Sequence, residues 1–502
     1  MTGALARELD AACAAHGSAA GLSDESGSMS LPELAAVARS VESALRRVGC
    51  LPDEPVAVTV SNRARDVGAL WGIWKAGAVA APLHRTAPPA VAQGLLDRLQ
   101  ARFVVNAEPA LRAPATQALA GAGASGTAAP LTVLDRPAPA PRPLLHDAAL
   151  IVFTSGTTGQ PKGAVLSHTA FSGKLAANQS VLNFAPGTRT LLVLQITFSF
   201  GMWVSLLTLS RGGWLCLEEG FKAPRFFPAL AAGRSTDVAL VPTMIRALLA
   251  SAGEPELRAQ VRACGGLAHV RRLITGGENL GPTLGGRVQA LFPQAELCDI
   301  YGLTETSTSD FFLLPAHQRR YAGCIGGPAP GVSFRIVDEA GRPAAPGEPG
   351  ELQIRTPYLM SGYLDAPELT QAASSEGYFR TGDIAREREP GMVELVGRSK
   401  ELISRGANKV SPLEIEQVCA AHPAVAEALA TGIPDPVLGE RIHVFVVPRA
   451  GAGVSEAELV AWCAARLERY KCPDRIHFGT ALPLGPTGKS DRIRLRQVLA
   501  ET

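Results

Sequence analysis

The chain has 502 residues, 46% hydrophobic and 19% charged, with a formal net charge of +2 at pH 7. That composition excludes a disordered chain and gives enough apolar material for more than one core. The near-neutral balance offers no field for nucleic acid or anionic lipid, so neither is an expected partner and any anion binding must be local.

Nine cysteines are scattered singly. Cys13 with His16 and Cys419 with His422 have a C-x-x-H spacing, but each lies in an Ala-rich, helix-like stretch without further ligands, which disfavours zinc. Unpatterned thiols fit a reducing compartment. The N-terminus carries charge where a signal peptide needs an apolar run, so the expected location is cytoplasmic.

In chain order, Leu31 to Val48 carries helical spacing, Pro55 to Val60 reads as a strand, and Ala64 to Ala76 as a helix. The stretch from Pro109 to Pro143 is rich in Ala, Pro and Gly and reads as a surface connection. Its Gly121-Ala122-Gly123-Ala124-Ser125-Gly126 matches G-x-G-x-x-G but lacks a preceding strand, so it is discarded as a dinucleotide site.

Ala148 to Val152 is a buried-strand pattern that opens into Phe153-Thr154-Ser155-Gly156-Thr157-Thr158-Gly159-Gln160-Pro161-Lys162-Gly163. Glycines allow tight turns that bring N–H groups close to an anion, hydroxyls add donors, and Lys162 adds a charge. The pattern suits a loop around a polyphosphate. It differs from the P-loop, where the lysine follows a glycine and precedes Ser or Thr. His168, just beyond, reads as structural.

Leu191 to Ser210 is twenty residues without a charge. Ile196, Phe198 and Phe200 alternate with Thr197 and Ser199, so the expectation is a buried strand followed by a core helix, not a membrane span. Asp237 to Val241 is a further strand. Alternating strands and helices over the first three hundred or so residues indicate parallel sheets covered on both faces. From Gly323 to Leu364, short apolar runs such as Phe334 to Val337 and Gly350 to Ile354 indicate a small antiparallel sheet or barrel. From Gly397 onward the chain reads as a compact α+β unit, within which Glu414 and Glu416 are expected to start a helix and complement its dipole.

Four further segments carry polar residues in notable groupings: Asp299-Ile300-Tyr301-Gly302-Leu303-Thr304-Glu305-Thr306, Tyr378-Phe379-Arg380-Thr381-Gly382-Asp383, Gly397-Arg398-Ser399-Lys400-Glu401, and Pro486-Thr487-Gly488-Lys489-Ser490-Asp491. Together with the Thr154 to Gly163 loop, in this order and spacing, they resemble the adenylate-forming superfamily: acyl- and aryl-CoA synthetases, adenylation domains of nonribosomal peptide synthetases, and luciferases. The resemblance implies a large N-terminal domain (residues 1–397) of stacked, mostly parallel αβαβα sheets plus a small β-barrel. A small mobile α+β domain (residues 398–502) would follow.

It also implies ATP-dependent activation of a carboxylic acid to an acyl-adenylate, release of pyrophosphate, and transfer to a thiol. Such chemistry rests on positioning and electrostatic stabilisation. By the resemblance, Thr154, Ser155, Gly156, Thr157, Thr158, Gly159 and Lys162 would hold the β- and γ-phosphates. Gly276, Gly277 and Glu278 would line the adenine and acyl pocket. Tyr301 would stack on adenine, with Gly302 beside it, and Thr304 would contact the α-phosphate. Glu305 would hold Mg²⁺, and Asp383 would take the ribose hydroxyls with Arg398 beside it. Lys489 would serve the adenylation step, and Lys400 would be the hinge about which the small domain swings.

Two departures bear on substrate and acceptor. Gln195 to Gly201 has no aspartate to pair with an α-ammonium, which disfavours an amino acid. Phe198 and Phe200 suggest an apolar or aromatic acid of modest size. Ala407 stands where relatives using CoA often have a second glycine. The leading expectation is a CoA thioester. The alternative is a stand-alone adenylation enzyme loading the phosphopantetheine of a separate carrier protein, or another nucleophile such as an amine. A catalytically dead adenylate-binding protein is a third reading, disfavoured because Lys489, Lys400, Glu305 and Asp383 are all present.

Overall fold

Strand Pro55–Val60 is buried along its whole length, as a parallel strand covered on both faces must be. Val56, Val58 and Val60 join one apolar core with helices Leu31–Arg47 and Ala64–Ala76. Ala57 joins another, with Leu96 and Leu99 of helix Pro89–Leu99. The computed structural model describes residues 3–106, 115–119, 130–154, 161–406, 408–449, 451–485 and 490–500. Ser155 to Gly159, Ala407, Lys489 and the discarded glycine motif at 121–126 lie outside these.

Pro55–Val60 sits near the middle of an eight-stranded sheet. It pairs in parallel with Val79–His84 and Phe103–Val105; Ala148–Thr154 pairs in parallel with Val79–His84 on the far side, and Lys162–Ser167 pairs antiparallel with Ala148–Thr154. A second, fourteen-stranded sheet has a parallel part made of Gly21–Asp24, Trp214–Leu217, Arg189–Leu192, Asp237–Leu240, Arg272–Gly276 and Glu296–Tyr301, in that spatial order. Helices Ala4–His16, Leu31–Arg47, Ala64–Ala76, His168–Leu182 and Ser199–Ser210 fill the space between the two sheets and share one core with both. Phe226, Phe227, Ile245, Leu248 and Val288 cover the outer face of the second sheet. The result is the expected helix–sheet–helix–sheet–helix stack.

Two inner helices approach closely because Gly72 faces helix Leu31–Arg47: a Cβ there would lie 2.5 Å from the Ala38 carbonyl oxygen. That helix starts at a capping box, with Ser30 N–H donating to Glu33 Oε2 at 2.7 Å.

The part expected as a barrel continues the second sheet through Phe311–Leu313. Strands Cys324–Pro328, Met392–Arg398, Tyr378–Glu389, Gly350–Arg355 and Ser333–Val337 follow in antiparallel order around a core of Phe311, Ile325, Leu352, Ile354, Ala385 and Val393. A third, five-stranded sheet includes Ile403–Arg405, Val425–Asp435 and Gly439–Pro448, with helices Pro412–Ala420 and Glu456–Ala464 on its own core. Cys419 Sγ faces Cys463 Sγ at 3.6 Å there, while His422 packs edge-on against Trp462.

One expectation is corrected. The alternating residues Ile196 to Phe200 are not a strand: the strand ends at Leu192, a turn follows, and the helix begins at Ser199. Asn62, at φ 60° and fully buried, makes this turn. Its Nδ2 donates to Leu194 O (2.7 Å) and Glu218 O (3.0 Å), and its Oδ1 accepts from Ile196 N–H (2.9 Å). Among the described residues no helix is long and apolar enough to cross a membrane.

Candidate active site

Strands Arg272–Gly276 and Glu296–Tyr301 run in parallel with Gly276 opposite Ile300, and it is outside the carboxyl ends of such strands that α/β sheets bind ligands. Gly276 lies so close to its neighbour that a Cβ would come within 2.7 Å of the Ile300 carbonyl oxygen. Just before these ends Thr275 Oγ1 donates to Asp299 Oδ1 at 2.7 Å, and burial pushes the Asp299 carboxyl up to about 7. After Gly277, Glu278 accepts from Thr243 Oγ1 at 2.5 Å and pairs with Arg246. Arg246 Nε also stands 3.6 Å from Glu427 Oε1, on strand Val425–Asp435 of the third sheet.

Asp383 and Arg398 face each other across two antiparallel strands, with Arg398 Nε 2.9 Å from Asp383 Oδ1. The Tyr301 hydroxyl donates to Asp383 Oδ2 at 2.5 Å. Asp383 is only 2% exposed. Burial raises its pKa, and the Arg398 charge and the Tyr301 hydrogen bond oppose that rise.

The turn Thr304–Thr306 follows at once. Thr304 Oγ1 lies 3.2 Å from Ser199 Oγ, at the start of the helix that follows the corrected turn. Glu305 Oε1 accepts from the Tyr363 hydroxyl at 2.8 Å, and Lys162 Nζ stands 5.2 Å from the centre of the Tyr363 ring. Burial and the Glu305 charge raise the Tyr363 pKa, which keeps it a donor. Thr154 is the partner of Lys162 across the hairpin. Lys162, Tyr363, Glu305 and Thr304 thus form one connected group.

Lys400 occupies the short turn Ser399–Glu401 between Arg398 and the third sheet. Beside it Glu401 Oε2 accepts from Arg492 Nη1 at 2.6 Å, and Arg492 Nη2 reaches both oxygens of Glu416 at 2.7 and 2.8 Å. The reading of Glu416 as a helix-dipole acid is therefore incomplete: Glu416 is an ion-pair partner of Arg492, while Glu414 pairs with Lys471 at 2.8 Å. His168 is the first residue of helix His168–Leu182, edge-on to Trp74, with its pKa pushed down to about 4 by burial.

Lys162, Thr304 and Glu305 are brought together, as are Tyr301, Asp383 and Arg398. Glu278 is directed instead to Arg246. Sequence reasoning missed Tyr363, Arg246 and Asn62. Thr243 and Arg246 at i, i+3 on one helix were a local signal; Tyr363 and Asn62 have none.

Two polar groups stand here, Lys162 with Glu305 through Tyr363, and the buried Asp383 with Tyr301 and the exposed Arg398. Residues 9–364 match the model described as "AMP-binding enzyme", and residues 414–489 match "AMP-binding enzyme C-terminal domain". The chain belongs to this family of AMP-forming ligases. It is 30% identical to a sulfoacetate–CoA ligase of Cupriavidus necator, over 94% of this chain and 93% of the relative. It is 31% identical to a feruloyl-CoA synthase of Amycolatopsis sp, over 91% of each. The ATP-bound crystal structure of MatB from Rhodopseudomonas palustris superposes with a TM-score of 0.86 at 27% identity, covering 100% of this chain and 99% of that one.

Proposed function

We propose that this enzyme joins an aryl or medium-sized apolar carboxylic acid to the α-phosphate of ATP, releases pyrophosphate, and passes the acyl group to the thiol of CoA. The observation that carries the reading is the connected group Lys162–Tyr363–Glu305 with Thr304 at its end. It sets a cation, a carboxylate and a hydroxyl close together, as a polyphosphate and its counter-ion require.

In this reading Thr154 to Lys162 hold the β- and γ-phosphates and Thr304 the α-phosphate. A single carboxylate beside a phosphate loop fits Mg²⁺, which is held by few protein oxygens and by phosphate oxygens of the substrate. Glu305 would hold it, and the ion would neutralise charge on the phosphates. Asp383, kept in place by Arg398 and Tyr301, takes the ribose hydroxyls, and Tyr301 and Gly302 meet the base. Gly276, Gly277 and Glu278 line the pocket. Residues 398–502 form the small domain, turning about Lys400 to bring Lys489 to the acid and ATP.

The relatives are named for acids of different size, so the choice of acid is argued from this chain. Phe198 and Phe200, both partly buried, flank Ser199, the residue that touches Thr304. Phe200 stacks on Trp203 with ring centres 5.7 Å apart. Those rings favour an aromatic or apolar acyl group.

The test is pyrophosphate release from ATP and Mg²⁺ across aryl and fatty acids, with and without CoA, products read by mass spectrometry. A CoA thioester of an aryl or apolar acid is expected. Acyl-adenylate that persists when CoA is supplied would move the acceptor to a carrier protein or an amine.

A further inference from the structure

Beyond Thr304 and Glu305, the residues Ser307, Thr308 and Ser309 are all in left-handed backbone, at φ 57°, 65° and 57°. Side chains with a Cβ rarely adopt that conformation, and three in succession persist only where the surroundings over-determine them. Gly302 gives room for this loop, since a Cβ there would lie 2.1 Å from Ser309 N. Thr308 N–H donates to Leu303 O and Asp310 N–H to Tyr301 O, both at 2.7 Å, which folds the loop back on its own start.

The loop is closed by an ion pair with no exposure to solvent. Lys174 and Asp310 are each 0% exposed, with Lys174 Nζ 2.8 Å from Asp310 Oδ1. The same ammonium reaches Ser309 O at 3.4 Å and stands 4.8 Å from the centre of the Tyr358 ring. The other oxygen of Asp310 accepts from the Thr306 hydroxyl, next to Glu305. On the far side Ser307 Oγ donates to Tyr358 O (2.7 Å), and Met360 N–H donates to Glu305 O (2.7 Å). Lys174 comes from the middle of helix His168–Leu182, eleven residues beyond the Thr154 to Gly163 loop.

We propose that Lys174 and Asp310 are positioning residues: their buried pair locks the left-handed loop and thereby holds Thr304 and Glu305 in the geometry the adenylation step uses. This rests on the roles of Thr304 and Glu305 given above. A buried charge left alone is strongly destabilising, whereas replacing both partners with apolar residues of similar volume is tolerated. The informative variant is therefore Lys174→Met/Asp310→Leu, in the full-length enzyme.

Adenylation is read as pyrophosphate release over a Mg²⁺ titration, and the second half-reaction as thioester formation from supplied acyl-adenylate. The expected result is a fall in adenylation kcat of about tenfold or more, since small misplacements of reacting groups carry losses up to about 10²-fold. The Mg²⁺ concentration for half-maximal rate should rise, with thioester formation unchanged. Adenylation and Mg²⁺ dependence both at wild-type level would overturn the proposal, as would equal losses in both half-reactions. Should the double variant fail to fold, Thr306→Val removes the hydroxyl that joins the pair to the turn, together with its contacts to Leu303, and the same two outcomes decide. Glu305→Gln is the reference: if it leaves adenylation intact, the reading of the site fails; if it cuts adenylation while the double variant does not, the positioning role fails.

Discussion

The Tyr301 hydroxyl and the Asp383 carboxylate, 82 residues apart, meet at 2.5 Å and tie the parallel part of the second sheet to its antiparallel extension. Arg398 holds the other oxygen of the same carboxylate. Asp383→Ala removes the acceptor shared by both and by the proposed ribose contact. ATP affinity should fall roughly 10- to 100-fold, the scale of losing hydrogen bonds to a charged group. Tyr301→Phe keeps the ring and should cost far less. Titration calorimetry of both variants decides; equal losses would show that the hydroxyl, not the carboxylate, sets the affinity.

Lys489→Ala should slow adenylation by roughly 10²–10³, the scale of losing one charge-stabilising donor, and spare thioester formation from supplied acyl-adenylate. Lys400→Pro should do the reverse, because it restricts the turn at Ser399–Glu401 between the second and third sheets. Rapid-quench measurement of each half-reaction checks both. Parallel losses in either variant would sink the alternating-domain assignment.

Asp299 provides a pH signature. Its carboxyl sits near 7 in the fold against an ordinary 3.8, with burial as the cause, so the folded state favours the protonated form. The stability this supplies is complete below about pH 4 and is lost as pH rises through about 7. Asp299→Asn keeps the acceptor for Thr275 but does not titrate. The melting temperature of the variant relative to wild type should climb between those limits and level off above them. A pH-independent difference would contradict the assignment.

Arg492 joins Glu401, beside the proposed hinge, to Glu416 on helix Pro412–Ala420. Arg492→Met should weaken the third sheet by about 2 kcal/mol, as loss of charge-assisted hydrogen bonds does. Hydrogen exchange should quicken in strands Val425–Asp435 and Gly439–Pro448 and stay unchanged in Pro55–Val60. Faster exchange in both places would show that the effect is not local.

Much of this was legible in the residues themselves. Helix Ala64–Ala76 matches its expected limits because its apolar spacing ends at Gly77, which caps it at φ 80°. Glu305 could be singled out as a candidate because the residues that mark it are contiguous in the chain. Its partner Tyr363 was not, since a two-residue edge strand has no periodicity to read. The turn at Ile196 to Phe198 misled for a related reason. Its residues alternate as a strand would, and the side chain that bends them, Asn62, belongs to a distant part of the chain.

Asn62 also bears on engineering. The turn that leads into Phe198 and Phe200 is clamped by an amide following a strand of the opposite sheet, with bonds to segments 132 and 156 residues away. Transplanting Gln195 to Gly201 between relatives to change acid preference therefore moves only half of a two-piece part. A graft should keep its shape only in a host that already carries the matching asparagine, and libraries that vary this turn should vary position 62 with it.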